Sequence, residues 1–324
     1  MRFRPDRRSF IALGGAACLA ATPAIARGAP ALSVIEGGAF GTNWRISLPA
    51  GTATGKLRAA LENLLADLDL AFSPWRADSA ISRFNRGGAR DVAVSPEIAE
   101  VVKAALAVAQ ASEGRFDPTV GPLVARWGFG PIREGKAGGW QGLVAGDRHI
   151  ARADPALTLD LCGIAKGHAL DRMAALLRDA GHDRFLADLG GELASHGRHP
   201  SGRIWQVGIE DPRAETDGLA GALLLDGMAI ATSGDRANGY DIGNRRFSHI
   251  IDPASGEPVE SSLASVTVLA PSARQADGWA TALMAAGDAG PELANRQGLP
   301  ALFLFREGEA LRRVVTGSFA QHLV

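Results

Sequence analysis

The runs WQVGIE at residues 205–210 and ALLLDGMAIAT at residues 222–232 decide the fold class of this 324-residue chain. Both are short, apolar and strand-like, and the turn signal Asp226-Gly227 divides the second run into two. Two more strand-like runs follow at residues 246–251 and 265–269. The connections between these runs are too short to contain helical crossovers, so the pattern predicts a largely antiparallel sheet.

Helices flank this region in the sequence. Four are predicted from apolar residues spaced three and four apart, at residues 57–70, from Ser95 onward, at 164–180 and from Ser272 onward. Ser95 is a helix N-cap followed by Pro96 at the first helical position, a combination that starts helices. Further strand-like runs occur at residues 44–48, 185–188 and 301–305. Helices combined with antiparallel strands predict the α+β class.

The composition excludes several classes of protein. The chain has 34 Lys and Arg against 35 Asp and Glu, a net charge of −1, so we expect no nucleic-acid partner. Forty glycines and 17 prolines without a period argue against a coiled coil or a helical solenoid. No run of about 18 apolar residues occurs beyond the N-terminus, and residues 27–324 are predicted to form a single domain.

Residues 1–26 are predicted to be a cleaved export signal. A basic start precedes an apolar run at residues 10–21 and the small-x-small site Ala24-Ile25-Ala26. The pair Arg7-Arg8 is typical of twin-arginine signals, and a Sec signal with a chance arginine pair is the alternative. Cleavage would remove four arginines and Asp6, leaving 30 basic and 34 acidic residues, a net charge of −4.

The two cysteines are relevant to the cellular compartment in which the protein works. After cleavage one cysteine, Cys162, remains, so no intrachain disulfide can form in an oxidising compartment. Cys18 is a candidate for lipidation, which would attach the protein to the inner membrane, but Gly15 stands where a lipobox has a larger aliphatic residue. We expect a periplasmic protein, associated with the inner membrane only if Cys18 is modified.

Candidate chemistry lies in four stretches. The sequence has no cage of Cys and His, no Gly-x-Ser-x-Gly elbow and no Walker loop. The four unusual stretches are GRFDPTVGPL at residues 114–123 with WGFG at 127–130, DLCGIAKG at 160–167, ATSGD at 231–235 with SHIIDP at 248–253, and DGWAT at 277–281.

The stretch DLCGIAKG ends a strand and opens a helix. Gly163 and Gly167 would let the backbone approach a ligand, the free N–H groups of a helix start suit phosphate, and Lys166 adds positive charge. Glycine and lysine are also common near helix starts that bind nothing, so this stretch by itself leaves a structural role open.

The stretch DGWAT places Asp277 and Thr281 four residues apart, on one face of a helix. A carboxylate and a hydroxyl on one face can hold Mg²⁺, which keeps several waters and takes phosphate oxygens. The alternative is a solvated Asp277 and a Thr281 hydroxyl that bonds to the preceding helical turn.

Two further side chains each have two interpretations. His249 lies between the strand-like residues Ser248 and Ile250, so alternation places it on the opposite face from both. A strand histidine is more often structural than catalytic. Trp75 is either part of the core or a stacking surface for an aromatic ligand.

Together these stretches resemble the FAD:protein FMN transferases, the ApbE family. The resemblance includes FGTNW at residues 40–44, SPWRADSAISRFN at 73–85 and DLGGE at 188–192. It covers nearly all of the chain after the signal, in order and at family-like spacing. It implies an ApbE-like fold, with largely antiparallel sheets flanked by helices. It also implies a Mg²⁺-dependent enzyme that moves FMN from FAD onto a threonine hydroxyl of a partner protein and releases AMP.

The resemblance implies roles for individual residues. The FAD site should be lined by Phe40, Trp75, Arg115, Phe116, Asp117, Asp160, Lys166 and Ile251. The metal site should use the carbonyl of Gly163 with Asp277 and Thr281. Phe40 departs from the methionine often found at its position but keeps a large apolar contact. Ala280 stands where some members carry an extra acid, which leaves Asp277 as the one clear carboxylate ligand.

His249 is the first candidate for the general base, because its unperturbed pKa of about 6.5 lies close to working pH. Asp277 could share that role if the metal is held mainly by FAD oxygens. Family analogy implies an acceptor that is an exported flavoprotein domain of a respiratory membrane complex. Two alternatives remain: a Mg²⁺-dependent FAD diphosphatase, in which water replaces the threonine, and a non-catalytic periplasmic flavin carrier. The presence of Asp277, Thr281 and residues 163–167 argues against the carrier.

Overall fold

A computed structural model of the chain describes residues 32–213, 218–236, 238–243 and 245–324. The predicted export signal and Cys18 lie outside the described residues. The helices are α1 Gly55–Phe72, α2 Ala80–Arg86, α3 Pro96–Ala111, α4 Gly121–Arg126, α5 Cys162–Asp179, α6 Ala273–Ala285 and α7 Gly290–Arg296. The strands are β1 Leu32–Ala39, β2 Thr42–Pro49, β3 Asp91–Ala93, β4 Leu143–Ala145, β5 His149–Arg152, β6 Phe185–Leu189, β7 Glu192–His196, β8 Trp205–Glu210, β9 Leu219–Leu225, β10 Ala229–Gly234, β11 Gly239–Ile242, β12 Arg245–Ser248, β13 Ile251–Asp252, β14 Glu257–Pro258, β15 Leu263–Ala270, β16 Ala301–Glu307 and β17 Ala310–Thr316.

The core is organised around an eight-stranded sheet in the order β1-β2-β6-β7-β10-β15-β16-β17, and each of these pairings is antiparallel. Strand β16 shows how its two faces are used. Phe303 and Phe305 belong to the larger core, which contains the helices, whereas Leu302 and Leu304 face a smaller core under the β8–β9 hairpin. The predicted α+β class with antiparallel strands is confirmed.

All four predicted helices are present, as α1, α3, α5 and α6. The Ser95 hydroxyl accepts a hydrogen bond from the Ile98 N–H at 3.2 Å, and the Ser272 hydroxyl accepts one from the Gln275 N–H at 3.2 Å. Both contacts are the N-cap bonds expected of serine at a helix start. In the described part of the chain, no helix combines the length and apolar character needed to cross a membrane.

The strand predicted over residues 246–251 is wrong, because the structure divides it. Strand β12 ends at Ser248, and β13 begins at Ile251 and pairs with β14 instead. The Ser248 hydroxyl accepts a hydrogen bond from the Ile250 N–H at 3.3 Å, a local turn that competes with strand pairing. His249 therefore lies in a bend, and the alternation argument for its orientation does not apply.

The region from residue 200 to 270 does not form one sheet. The turn at Asp226-Gly227 is present, with Gly227 at φ +67°, but it joins strands of different sheets, because β9 pairs with β8 and β10 pairs with β7 and β15. Strands β11–β12 and β13–β14 form two further separate hairpins. Short connections predicted the antiparallel pairing correctly but could not predict which strands pair.

Candidate active site

The site is built where α5 begins and where α6 passes it in the opposite direction. A Cβ atom on Gly167 would lie 2.3 Å from the Ala273 carbonyl oxygen, and one on Gly163 would lie 2.9 Å from the Thr281 side chain. Glycine at these two positions was expected to open the backbone to a ligand. The structure shows instead that both glycines let the two helices approach each other.

This close approach brings three oxygen donors together. Asp277 Oδ2 accepts a hydrogen bond from the Gly167 N–H at 2.9 Å, and Thr281 Oγ1 donates one to the Gly163 carbonyl at 3.3 Å. The Asp277 side chain is buried, and burial raises its pKa, although the Lys166 charge and the Gly167 N–H act in the opposite direction. A bound cation would stabilise the ionised form of the Asp277 carboxylate, which burial disfavours.

These donors fit Mg²⁺. Carboxylate, hydroxyl and carbonyl oxygens are the hard ligands that this ion takes, and its remaining positions are usually filled by water and phosphate oxygens. Asp277 Oδ1 makes no hydrogen bond to another described residue, so it is available to a cation. Among the described residues, no three His, Cys, Asp or Glu side chains group as a metal site. A cation here would have Asp277 as its protein carboxylate.

Lys166 lies near the start of α5, three residues after Gly163, and forms an ion pair with Glu192. The Glu192 side chain is 3% exposed and that of Lys166 is 33% exposed. Burial raises the pKa of Glu192, and Asp277 raises it further, against the lowering effect of Lys166. Burial lowers the pKa of Lys166, but the Glu192 and Asp277 carboxylates outweigh burial and raise it. The Lys166 ammonium therefore stays charged at neutral pH beside the oxygen donors.

The segment that leads into α5 forms one wall of the site. Asp160 Oδ1 accepts a hydrogen bond from the N–H of Cys162, the first residue of α5, at 3.0 Å. The Asp160 N–H donates to the Pro118 carbonyl at 2.7 Å. A Cβ on Gly163 would lie 3.1 Å from the Phe116 ring. The structure thus brings the predicted residues Phe116 and Asp160 to the start of α5.

The loop that carries Phe116 also positions two other predicted residues. Asp117 Oδ1 accepts hydrogen bonds from the Thr119 N–H at 2.7 Å and the Thr119 hydroxyl at 2.6 Å, so this carboxylate is engaged within its own loop. Burial raises the pKa of Asp117. Arg115 forms an ion pair with Asp252 at 3.4 Å, which links this loop to β13 and to the buried neighbouring residue Ile251.

Phe40 and Trp75 come from two other loops. Phe40 adopts φ +54° in the two-residue turn between β1 and β2, a conformation that is strained for a bulky side chain and is often retained for function. Thr42, the first residue of β2, packs against Gly190, which lies two residues before Glu192. Trp75 is 68% exposed, so it is not a core residue. An exposed indole remains available for stacking.

His249 has a defined tautomer. Its Nδ1 lies 3.1 Å from the Asn238 carbonyl oxygen, which can only accept, so Nδ1 carries the proton and Nε2 keeps its lone pair. Nε2 makes no hydrogen bond to another described residue. Burial lowers the pKa of His249, and the Lys166 charge lowers it further, against the Asn238 carbonyl and Asp235. The imidazole is therefore neutral at pH 7, as a general base must be.

An open groove lies beside the loop that contains Arg115. It has a volume of about 860 Å³ and is bounded by residues 122–126, 133–138 and 253–256. Its charged lining residues are Arg126 and Arg133. A groove of this size is in the range of small-molecule sites. The Arg126 guanidinium is already paired with the Glu257 carboxylate at 2.9 Å.

Two residues of the site were missed as functional candidates. Glu192 lies in the DLGGE stretch, where the residue pattern predicts no role for it, and no pattern marks Asn238. An acid directly after two glycines is a detectable signal for Glu192, since the turn Gly190-Gly191, at φ +66° and +98°, places Glu192 at the start of β7. The contribution of Asn238 is a backbone carbonyl, for which the residue type gives no signal.

Comparisons with known proteins show the family to which the chain belongs. The profile described as the ApbE family matches residues 40–303. The chain is 35% identical to a protein named FAD:protein FMN transferase from Salmonella typhimurium, over 95% of this chain and 97% of that one. It is 33% identical to the protein of the same name from Escherichia coli K12, over 90% of each.

Solved structures show the same similarity. The flavin transferase ApbE from Vibrio cholerae superposes with a TM-score of 0.82 at 32% identity, covering 91% of this chain and all of that one. The apo form of the Pseudomonas stutzeri flavinyl transferase ApbE superposes with a TM-score of 0.81 at 34% identity, covering 90% of this chain and 96% of that one.

Proposed function

This chain belongs to the ApbE family and is an FAD:protein FMN transferase, and from that premise we propose that it moves FMN onto a threonine hydroxyl in a Mg²⁺-dependent reaction that releases AMP. The observation that carries the proposal is the cluster of Gly163, Asp277 and Thr281 oxygens beside the Lys166 ammonium. Hard oxygen donors next to a fixed positive charge are what a cation-bound diphosphate requires.

Gly163, Asp277 and Thr281 would hold the Mg²⁺ ion. When bound, the ion would neutralise diphosphate charge and act as a Lewis acid. Lys166 would contribute a second positive charge to the phosphate oxygens, because its pKa is raised and its side chain is partly open to solvent. The positive end of the dipole of the 18-residue helix α5 lies at the same place, although Asp160 already accepts a hydrogen bond from the Cys162 N–H there.

The chemical step is a phosphoryl transfer to an alcohol. The threonine oxygen attacks the phosphorus of the FMN half, an O–P bond forms, and the bond from that phosphorus to the AMP oxygen breaks. The hydroxyl proton passes to His249 Nε2, whose lone pair is kept by the Nδ1 contact with the Asn238 carbonyl. Asp277 could share the role of base.

The remaining predicted residues would bind the rest of FAD. Trp75 offers an exposed aromatic face, and Phe40 offers a half-buried one at a strained turn. Arg115 is available at the surface beside Ile251, while Phe116, Asp117 and Asp160 shape the wall from buried positions. These assignments rest on the family resemblance, and for Phe116 and Asp160 also on their contacts with the start of α5.

The acceptor and the compartment are part of the proposal. The basic and apolar segment at residues 1–26 supports export to the periplasm by a twin-arginine-type signal. The acceptor would then be an exported flavoprotein domain with a threonine at its flavinylation site, in a subunit of a respiratory membrane complex.

The proposal is tested by tracing the product. The protein is incubated with FAD, Mg²⁺ and an acceptor domain, and in parallel with the same domain in which the threonine is replaced by alanine. We expect covalent FMN on the threonine domain, one AMP per FMN transferred, and no transfer without Mg²⁺. Free FMN and AMP with an unmodified acceptor would show a diphosphatase, and intact FAD would show a carrier.

A further inference from the structure

Glu192 is a buried acid that the mechanism above does not use. It is the first residue of β7, its side chain is 3% exposed, and its Oε1 contacts Lys166 Nζ. Its other oxygen, Oε2, is buried and makes no hydrogen bond to any described residue. Burying a carboxylate removes it from water at a large cost, and a single lysine that is itself partly exposed offsets only part of that cost.

We propose that Glu192 is a positioning residue that holds the Lys166 ammonium at the place where the FAD diphosphate binds. The inference rests on the proposed function of Lys166 and adds to it a residue that acts through the lysine. The Lys166 side chain has a flexible four-carbon stem and a compact charge, so without an ion-pair partner its ammonium would sample many positions. An ion pair from a neighbouring strand restricts that sampling.

The backbone that carries Glu192 is held in place by its neighbours. The turn before Glu192 is made of Gly190 and Gly191, both in the left-handed region that favours glycine. The Gly190 N–H donates to the Asn43 carbonyl at 2.9 Å, and the Gly191 N–H donates to Asp188 Oδ1 at 2.9 Å. The turn is thus fixed to β2 and to β6, and the position of the Glu192 carboxylate is defined before Lys166 pairs with it.

A second ion pair, further along α5, offers a matched control. Arg172 on this helix pairs with Glu97 at the start of α3, so this ion pair also joins α5 to a neighbouring element. The Glu97 side chain is 31% exposed and also contacts His168 at 2.9 Å. The Gly163 and Thr281 oxygens contact each other and not Glu97. Glu97→Gln therefore removes a carboxylate from an α5 ion pair without touching the proposed diphosphate site.

The test compares Glu192→Gln, Glu192→Asp, Lys166→Met and the double variant Glu192→Gln/Lys166→Met with the control Glu97→Gln. We expect Glu192→Gln to lower FMN transfer by about 10²-fold, because displacing a positioning group by about 1 Å has effects of that size. Glu192→Asp keeps the charge and should recover a large part of the rate. Glu97→Gln should transfer FMN at the wild-type rate per folded molecule.

The double variant shows whether Glu192 acts through Lys166. If it does, Glu192→Gln should have almost no further effect on transfer in the Lys166→Met background, since residues that act as a unit are not additive. Lys166→Met alone leaves a buried carboxylate without its cation, so its melting temperature should fall. The double variant should recover melting temperature, because neither charge remains buried alone.

Three results would overturn the inference. The first is a wild-type transfer rate in Glu192→Gln. The second is an equal fold-loss from Glu192→Gln in the wild-type and Lys166→Met backgrounds. The third is a lower melting temperature of Glu192→Gln with normal turnover per folded molecule. The comparison of Glu192→Gln with Glu192→Asp does not depend on the folding of Lys166→Met. Absence of transfer in the wild type itself would count against the proposed function and not against this role of Glu192.

Discussion

The carboxylate of Asp277 is held by the backbone of Gly167, whose N–H donates to Oδ2 at 2.9 Å. The contact crosses from α5 to α6, and it forms because a glycine lets the two helices meet. The one clear carboxylate of the proposed cation site is therefore oriented by helix packing, and packing defects between these helices should affect the chemistry.

Gly167→Ala should destabilise the protein and reduce transfer together. The added Cβ would lie 2.3 Å from the Ala273 carbonyl oxygen and 2.7 Å from Asp277 Cβ, so the helices must separate. Overpacking of this kind costs about 1–3 kcal/mol in free energy of unfolding. Chemical denaturation measures it. Gly55→Ala, at a helix position with no atom within 4 Å of the added Cβ, is the control and should change little.

Asp277→Asn should abolish the response to Mg²⁺ while the protein remains folded. The asparagine side-chain oxygen can still accept from the Gly167 N–H, but the negative charge is lost. We expect transfer at saturating Mg²⁺ to fall by two or more orders of magnitude, since metal Lewis-acid catalysis is worth several kcal/mol. Asp67→Asn, at an exposed position on α1, is the control. A Mg²⁺ titration of Asp277→Asn that matched the wild-type curve would rule out the assigned ligand.

Trp75→Ala should weaken FAD binding and leave the melting temperature unchanged. The indole is 68% exposed, so its removal empties no part of the core. An aromatic contact is worth about 0.5–1.5 kcal/mol beyond area burial, which is a few-fold to about tenfold in dissociation constant. Flavin fluorescence titration measures the change, and Trp75→Phe should restore much of the affinity. Equal FAD affinity in wild type and Trp75→Ala would remove Trp75 from the site.

His249→Gln should remove the acid limb of the transfer rate. The pKa of His249 lies below its ordinary value of 6.5, because burial and the Lys166 charge disfavour the protonated ring. The neutral base is present above that pKa and is lost as the pH falls through it. The wild-type rate should therefore decline at a midpoint below pH 6.5.

The size of the effect distinguishes a base from a structural residue. His249→Gln should lower the rate at pH 7 by about 10²–10⁴-fold with FAD affinity nearly intact. His149→Gln, at an exposed histidine, should behave as the wild type. A persistent acid limb in His249→Gln would assign that limb to another group, and normal turnover with lower stability would make His249 structural.

The sequence predicted the helices well because their signals are local. Ser95 and Ser272 each specify a helix start through a bond to a residue three positions away, and such signals need no knowledge of the rest of the fold. The strands were harder, because pairing depends on distant partners. Residues 246–251 read as one strand, yet β12 pairs with β11 and β13 pairs with β14. Strands β1 and β17, the two edges of the main sheet, were not predicted.

In the candidate site, too, contacts between residues close in sequence could be predicted and contacts between distant residues could not. Asp277 and Thr281 share a helix face, so their proximity could be derived from spacing alone. Glu192 meets Lys166 across 26 positions of chain, and the Asn238 carbonyl meets His249 across 11, so neither contact could be read from the local sequence. The assignment of Trp75, Arg115 and Lys166 to one FAD site comes from the family resemblance alone and stays a prediction.

We propose above that the enzyme transfers FMN from FAD to a hydroxyl with a cation held by the Asp277, Thr281 and Gly163 oxygens beside Lys166. The most direct test is single-turnover incubation with FAD and a threonine-bearing acceptor domain, with and without Mg²⁺, followed by intact-mass measurement of the acceptor. We expect one FMN on each acceptor molecule in the wild-type reaction with Mg²⁺. We expect none within the same time without Mg²⁺ or with Asp277→Asn. Equal FMN addition in the presence and absence of Mg²⁺, or by Asp277→Asn, would contradict the proposal.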